Sequence, residues 1–233
     1  MRKFGLIGGM SWVSTGMYYK WINKAVTKQA GPMVSAPLLI ESLNFAELYG
    51  LTKEDEWDRA ADILTDSAKR LEGAGAQAIA IAANSMHRVY DQVADAVDIP
   101  VLHIADAVGE RMKQAGVTDA ALIGTRNVMT ESFYRRKLVS HGIDLLPPEM
   151  THVDRVNAII YDELMQGKAS RDAERFFRTM ITNLEKDGAK AIVLACTELD
   201  MVIDVDANVL PIFDSARIHS QAVVDWMMGG EAA

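Results

Sequence analysis

Gly75-Ala76-Gln77-Ala78-Ile79-Ala80-Ile81-Ala82-Ala83-Asn84-Ser85 is answered 113 residues later by Gly188-Ala189-Lys190-Ala191-Ile192-Val193-Leu194-Ala195-Cys196-Thr197-Glu198. Each stretch opens on Gly-Ala, runs through an unbroken aliphatic segment of strand length, and ends on small polar residues. Unbroken aliphatic strands alternating with helical patterns predict a parallel sheet covered on both faces. Two further echoes flank the first. Leu6-Ile7-Gly8 returns as Leu122-Ile123-Gly124, and Val101-Leu102-x-Ile104-x-Asp106 as Val209-Leu210-x-Ile212-x-Asp214, at offsets of 116 and 108. Three echoes in one order describe an internal duplication. The expected fold is therefore α/β, with two pseudo-symmetric parallel-sheet halves and a ligand cleft between them. The halves are placed at residues 1–102 plus 212–233 and at 103–211, the last helix packing on the first half.

Strands are expected at Phe4–Ile7, Pro37–Glu41, Ala78–Ala82, Val101–Ile104, Ala120–Ile123, Ala191–Ala195 and Val209–Phe213. Helical patterns lie near 14–29, 55–73, 85–96, 106–115, 130–140, 152–166, 170–186 and 215–228. Pro211 cannot donate to a ladder, so the last strand belongs at an edge or begins there.

Composition narrows the function. The 233 residues are 49% hydrophobic, which suffices for a sizeable core. The formal net charge is -8 and the 24 basic residues are scattered, which argues against nucleic-acid binding. No run approaches the roughly 18 apolar residues of a membrane span. The N-terminus enters a Gly turn too early for a signal peptide, so a cytoplasmic location is expected. A single cysteine excludes an internal disulfide and a Cys-cluster metal site. None of the five histidines forms an H-x-x-x-H pair, so no metal is expected. Gly8-Gly9-Met10-Ser11-Trp12 lacks both the G-x-G-x-x-G spacing and a P-loop lysine, and a G-x-S-x-G elbow is absent. Nucleotide binding and serine-hydrolase chemistry are set aside on those grounds.

The repeat places Ala83-Asn84-Ser85 opposite Cys196-Thr197-Glu198, each at the carboxyl end of a strand, where ligands bind in parallel α/β sheets. Cys196 reads either as a small buried hydrophobe or as a reactive thiol beside turn amides. Asn84 and Ser85 read as helix caps or as a cradle for a carboxylate, and the two readings are compatible. Gly9, Met10 and Ser11, with Gly124 and Thr125, follow the first strand of each half, where glycine lets backbone approach a ligand. Lys168 and Arg59 are candidates for a side-chain carboxylate, and His87 reads equally as a donor or as a structural residue.

Taken together, Gly8-Gly9-Met10-Ser11-Trp12, Ser14-Thr15-x-x-Tyr18-Tyr19, Glu56-Trp57-Asp58, Asn84-Ser85-Met86-His87, Gly124-Thr125-Arg126-x-x-Met129 and Cys196-Thr197-Glu198 resemble the aspartate/glutamate racemases. The match spans nearly the whole chain. Cys-Thr-Glu resembles the aspartate and broad-specificity branch; glutamate racemases of the cell-wall pathway usually carry Cys-Thr-His. The resemblance implies cofactor-independent racemisation of an amino acid or related dicarboxylate in a homodimer. One thiolate takes the α-proton and a second cysteine protonates the opposite face. It implies that Cys196 is one acid/base; as a working acid/base, its thiol is expected to be held near or below its ordinary pKa with its sulfur touching the cleft. Gly9, Met10, Ser11, Asn84, Ser85, Gly124, Thr125, Thr197 and Glu198 would hold the substrate.

The family's first cysteine falls on Ala83, which cannot transfer a proton. Positions 83 and 196 are expected to face each other with Cα atoms roughly 7–10 Å apart. The alanine leaves three readings open. It is an inactivating replacement, it marks a one-sided enzyme, or the chemistry has changed, as in the related arylmalonate decarboxylases that keep only the second-half cysteine. A non-catalytic binder of amino acids or dicarboxylates is the remaining alternative.

Overall fold

The computed structural model describes residues 1–53 and 55–230, the side chains of Thr52 and Lys53 excepted. In chain order the elements are β1 (Phe4–Gly8), α1 (Trp12–Ala30), β2 (Leu38–Ser42), α2 (Phe45–Lys53), α3 (Trp57–Gly73), β3 (Ile79–Ile81), α4 (Tyr90–Ala94), β4 (Val101–Leu102) and α5 (Ile104–Gln114). There follow β5 (Asp119–Gly124), α6 (Arg126–Thr130), α7 (Ser132–Ser140), β6 (Asp144–Leu145), α8 (Met150–Asp162), α9 (Arg171–Lys186), β7 (Ala191–Ala195), β8 (Ile212–Asp214) and α10 (Ser215–Met227). Short 3₁₀ helices lie at Ser85–Val89, Leu164–Gln166 and Thr197–Met201.

The strands form two four-stranded sheets, ordered β2-β1-β3-β4 and β6-β5-β7-β8, with every pair parallel. The α/β class and the duplicated architecture expected from the echoes are thus present. Register carries two of the echoes at atomic level. Gly5 pairs with Ile79 and Leu6 with Ala80, while Ala121 pairs with Ile192 and Leu122 with Val193.

The third echo is corrected. Ile79 pairs with Val101, but Ile192 pairs with Ile212 rather than Val209. The equivalent helices, α5 and α10, open at Ile104 and Ser215. Hydrophobic similarity had slid the alignment by one helical spacing, which ladder hydrogen bonds do not allow.

The chain divides into two compact units, Met1–Ile104 with His219–Ala233 and Ala105–Ile218. The boundary at 212 is therefore corrected: β8 pairs with β7 and the return falls inside α10, so 212–218 lie in the second unit while His219–Ala233 fall in the first. Pro211 stands at the entry to β8, an edge strand, and its carbonyl accepts from the Ile192 amide.

Each unit has its own core. In the first, Ile7, Leu64, Ile79, Ile81, Met86 and Val93 pack with Ala83. In the second, Ile123, Val156, Phe177, Ile181, Ile192 and Leu194 pack with Cys196. The helix α9 illustrates how sequence makes these layers. Ala173, Phe177, Met180 and Ile181 fall at i, i+4, i+7 and i+8 and are all buried. Asp172 and Glu174 sit in its first turn and Lys186 in its last, matching the helix dipole. The Ser170 hydroxyl accepts from the Ala173 amide at 3.1 Å. Ser170→Ala should cost about 1 kcal/mol, read as a shifted urea midpoint at unchanged slope; an unchanged midpoint would show that the cap contributes nothing.

Two elements escape sequence reading. β6 has only two residues, one of them acidic, and α2 carries Gly50 in its interior. Three helical patterns are also broken. The 85–96 pattern begins as a 3₁₀ turn before α4, the 130–140 pattern is preceded by α6 and interrupted at extended Glu131, and the 152–166 pattern ends in a 3₁₀ turn after Glu163. His103 stands between β4 and α5 rather than within a strand. Among the described residues, no helix is long and apolar enough to cross a membrane.

Candidate active site

The expected site residues fall into two groups, one in each unit, and each group lies at the carboxyl ends of paired neighbouring strands. In the first unit, Gly9, Met10 and Ser11 follow β1, while Ala83, Asn84 and Ser85 follow β3. In the second, Gly124 closes β5 and Thr125 follows it, while Cys196, Thr197 and Glu198 follow β7.

Local chemistry explains the first group. Gly9 has φ +88°, and a Cβ there would collide with the Leu43 backbone. The turn is then laced to α1. The Gly9 amide donates to Thr15 Oγ1 at 2.7 Å, and the Thr15 hydroxyl donates to the Ser11 carbonyl at 3.0 Å. Ser11 caps α1, with the Ser14 amide 3.4 Å from its hydroxyl. Across the strand pair, Ala83 is 9% exposed and packs in the first core. Asn84 precedes the 3₁₀ turn Ser85–Val89 in helical backbone geometry and makes no side-chain cap. Among the described residues, its buried Oδ1 has no hydrogen-bond partner.

Behind this turn lies a cluster of tilted and edge-on histidine rings that sequence reading missed. His87 sits 4.5 Å from His103 and 5.8 Å from His219, centroid to centroid. His87 Nε2 donates to the Ile81 carbonyl at 3.3 Å, tying the turn to β3. His219 Nε2 lies 3.1 Å from the Leu102 carbonyl, which can only accept, so Nε2 carries the proton. The other nitrogen then accepts from the Tyr18 hydroxyl at 3.0 Å. Burial pulls the His219 pKa down to about 4, fixing a neutral ring. The sequence offered no signal for the pairing of Tyr18 with His219, because neither lies in a spacing motif with the other.

In the second unit, a Cβ on Gly124 would lie 2.9 Å from the Ala195 carbonyl oxygen, so glycine keeps the ends of β5 and β7 close. Thr125 is the cap position of α6 but makes no side-chain cap, and among the described residues its buried Oγ1 has no hydrogen-bond partner. Cys196, 8% exposed, precedes the 3₁₀ turn Thr197–Met201. Its thiol donates to Glu198 Oε2 at 3.2 Å. Burial pushes the thiol well above its ordinary pKa, and the Glu198 carboxylate pushes it further the same way. The expectation of a thiol at or below its ordinary pKa is therefore corrected. The influences that raise the sulfur are its burial and the carboxylates of Glu198 and, more weakly, Asp200, the opposite of what stabilises a thiolate.

Asp200 and Asp214 extend this acidic surrounding, and burial raises both carboxyl groups. Asp214 caps α10 by accepting from the Ala216 and Arg217 amides at 3.0 and 3.1 Å, and Arg217 Nε pairs with it at 3.2 Å. Lys168 and Arg59 are occupied locally. Lys168 donates to Gln166, and Arg59 pairs with Glu56 on the same helical edge.

Chemically, the second unit supplies a neutral thiol, a buried carboxylate against it and the orphaned Thr125 Oγ1, and the first unit supplies the orphaned Asn84 Oδ1. A ligand is one way to satisfy such atoms. Comparison with known proteins defines the class. The profile described as Asp/Glu/Hydantoin racemase matches residues 7–223, and the chain belongs to that family. It is 23% identical over 219 residues to the broad specificity amino-acid racemase RacX of Bacillus subtilis, covering 83% of this chain and 93% of RacX. The crystal structure of a putative Asp/Glu racemase from Yersinia pestis is 39% identical, with a TM-score of 0.92, covering 98% of this chain and 100% of that one. An aspartate racemase homologue from Pyrococcus horikoshii is 33% identical, with a TM-score of 0.84 and coverages of 98% and 100%.

Proposed function

We propose that the protein is a cofactor-independent amino-acid racemase or epimerase in which Cys196 is the acid/base and Ala83 occupies the position of the second base. The observation that carries this reading is the Cys196 thiol at the end of β7, donating to the buried Glu198 carboxylate. A thiol suits α-proton transfer because its pKa can be brought toward that of the reacting carbon acid, and it needs no bound cofactor. The orphaned Asn84 and Thr125 side chains, with backbone at Gly9, Met10, Ser11 and Gly124, are the groups assigned to substrate, joined by Ser85 and Thr197. A dipolar amino acid or a dicarboxylate fits such mixed donors and acceptors. A homodimer working in the cytoplasm belongs to the same reading.

The neutral thiol and the alanine also favour a second reading, a single-cysteine decarboxylase or lyase that only delivers a proton. Incubation in D2O separates the two. A racemase exchanges the α-proton of an amino acid, followed by NMR, and Cys196→Ala abolishes that exchange. A decarboxylase instead consumes a malonate-type substrate, leaves deuterium in the product and leaves amino acids untouched. Absence of both reactions, with an amino acid still raising the melting temperature, would leave only a binding protein.

A further inference from the structure

The two readings differ in which form of Cys196 does the work, and the contacts of Glu198 bear on that choice. Glu198 is 5% exposed and lies two residues beyond the cysteine on the same 3₁₀ turn. The thiol has its proton aimed at Glu198 Oε2, 3.2 Å away. A carboxylate in that place accepts from S–H but repels S⁻, since two like charges at such distance in a dry interior interact strongly. The charges acting on the thiol are those of Glu198 and, more weakly, Asp200. The nearby cation, Arg217, is paired with Asp214. A thiolate-forming site would show the opposite arrangement, with a cation or histidine against sulfur.

We propose that Glu198 is a positioning residue that holds Cys196 as a neutral thiol, so that this end of the active site rests as a proton donor rather than as a base. The proposal rests on the reading of Cys196 as the reacting group, and it deepens that reading by assigning the direction of its resting state. In the reacting step the S–H bond breaks and its electron pair stays on sulfur. The carbanion's pair forms the new C–H bond. The thiolate left beside Glu198 then takes a proton from solvent and the site returns to its starting form. The substrate form that reacts from rest is therefore one that reaches Cys196 already as a carbanion.

The protein's single cysteine makes the test direct. Cysteine labelled with 13C at Cβ gives one resonance, whose shift follows ionisation whether or not the sulfur is accessible. In the wild-type protein the resonance should remain that of the thiol well beyond the ordinary thiol midpoint of about 8.5. Glu198→Gln keeps shape and a hydrogen-bonding oxygen but removes the charge. It should lower the midpoint by at least about one pH unit, which is about a tenfold gain in thiolate at pH 8. Asp200→Asn should move it the same way by less. A wild-type midpoint at or below about 8.5 overturns the proposal. So does a common midpoint for the wild-type protein and the Glu198→Gln protein. The wild-type titration decides even if the variant fails to fold. No substrate is present, so failure here is distinct from failure to exchange an α-proton.

Discussion

Ala83→Cys should raise the interconversion of both enantiomers of an accepted amino acid by about 10²–10⁴-fold, the range that a positioned proton-transfer group typically contributes. The alanine methyl can neither take nor give a proton, and Ala83 follows β3 at its carboxyl end. The wild-type protein should therefore show little net inversion, and deuterium should enter only the enantiomer whose α-proton faces Cys196, slowly, through the minor thiolate form of that sulfur. On the two-base reading, a thiol at position 83 would supply the missing transfer. The factor must be similar in the two directions, because enantiomers are equal in energy and both cross the same transition state. Ala83→Ser is the matched control. Its hydroxyl is nearly the same size but far less acidic than a thiol, so it should gain little. Progress curves from pure L and pure D substrate, followed by chiral chromatography, read all three proteins. An Ala83→Cys protein that gains nothing with any amino acid would sink the two-base reading and leave the one-sided decarboxylase or lyase.

The second large effect is on stability. His219 is fully buried, and its pKa falls to about 4 in the folded protein. In the unfolded chain the ring titrates near its ordinary value of about 6.5. Between those values the unfolded chain binds a proton that the folded one excludes. Folding stability is thus fully present above about pH 6.5 and is lost as pH falls toward 4. The shift corresponds to about 3 kcal/mol. Asp200 and Asp214 act in the opposite sense, because burial raises their carboxyl groups, so their protonation favours the folded state as pH falls. Comparison with His219→Gln cancels that common contribution. Glutamine can donate to the Leu102 carbonyl and accept from Tyr18, as the ring does, but does not titrate. Urea unfolding at pH 7 and at pH 4 should show the wild-type protein losing about 3 kcal/mol more than the variant. Equal losses would mean that His219 does not couple to acid unfolding.

Much of the fold was legible before any coordinates. The aliphatic runs around Ile79 and Ile192 became buried parallel strands, and the echoes at Leu6 and Leu122 became the register-equivalent strands beside them. Such signals are local and periodic, so they survive without knowledge of neighbours. The motif residues were legible in the same way, since strand-end turns announce themselves as glycine and small polar residues after an apolar run. Where reading failed, the deciding interaction was not local. The third echo matched in residue type yet was placed three residues out of register, because only the pairing of Ile192 with Ile212 sets that ladder. The two-residue strand β6 is too short to carry a period of its own.

The amino-acid sequence by itself determined the α/β class, the duplication and the strand-end placement of Asn84, Thr125 and Cys196. The protonation states were decided only by tertiary structure. Cys196 rests as a thiol because folding buries it against Glu198, and His219 is neutral because folding buries it between Tyr18 and Leu102, residues 201 and 117 positions away. A pKa is set by the solvent a group loses and the charges it gains, and both are properties of packing between distant segments rather than of residue type.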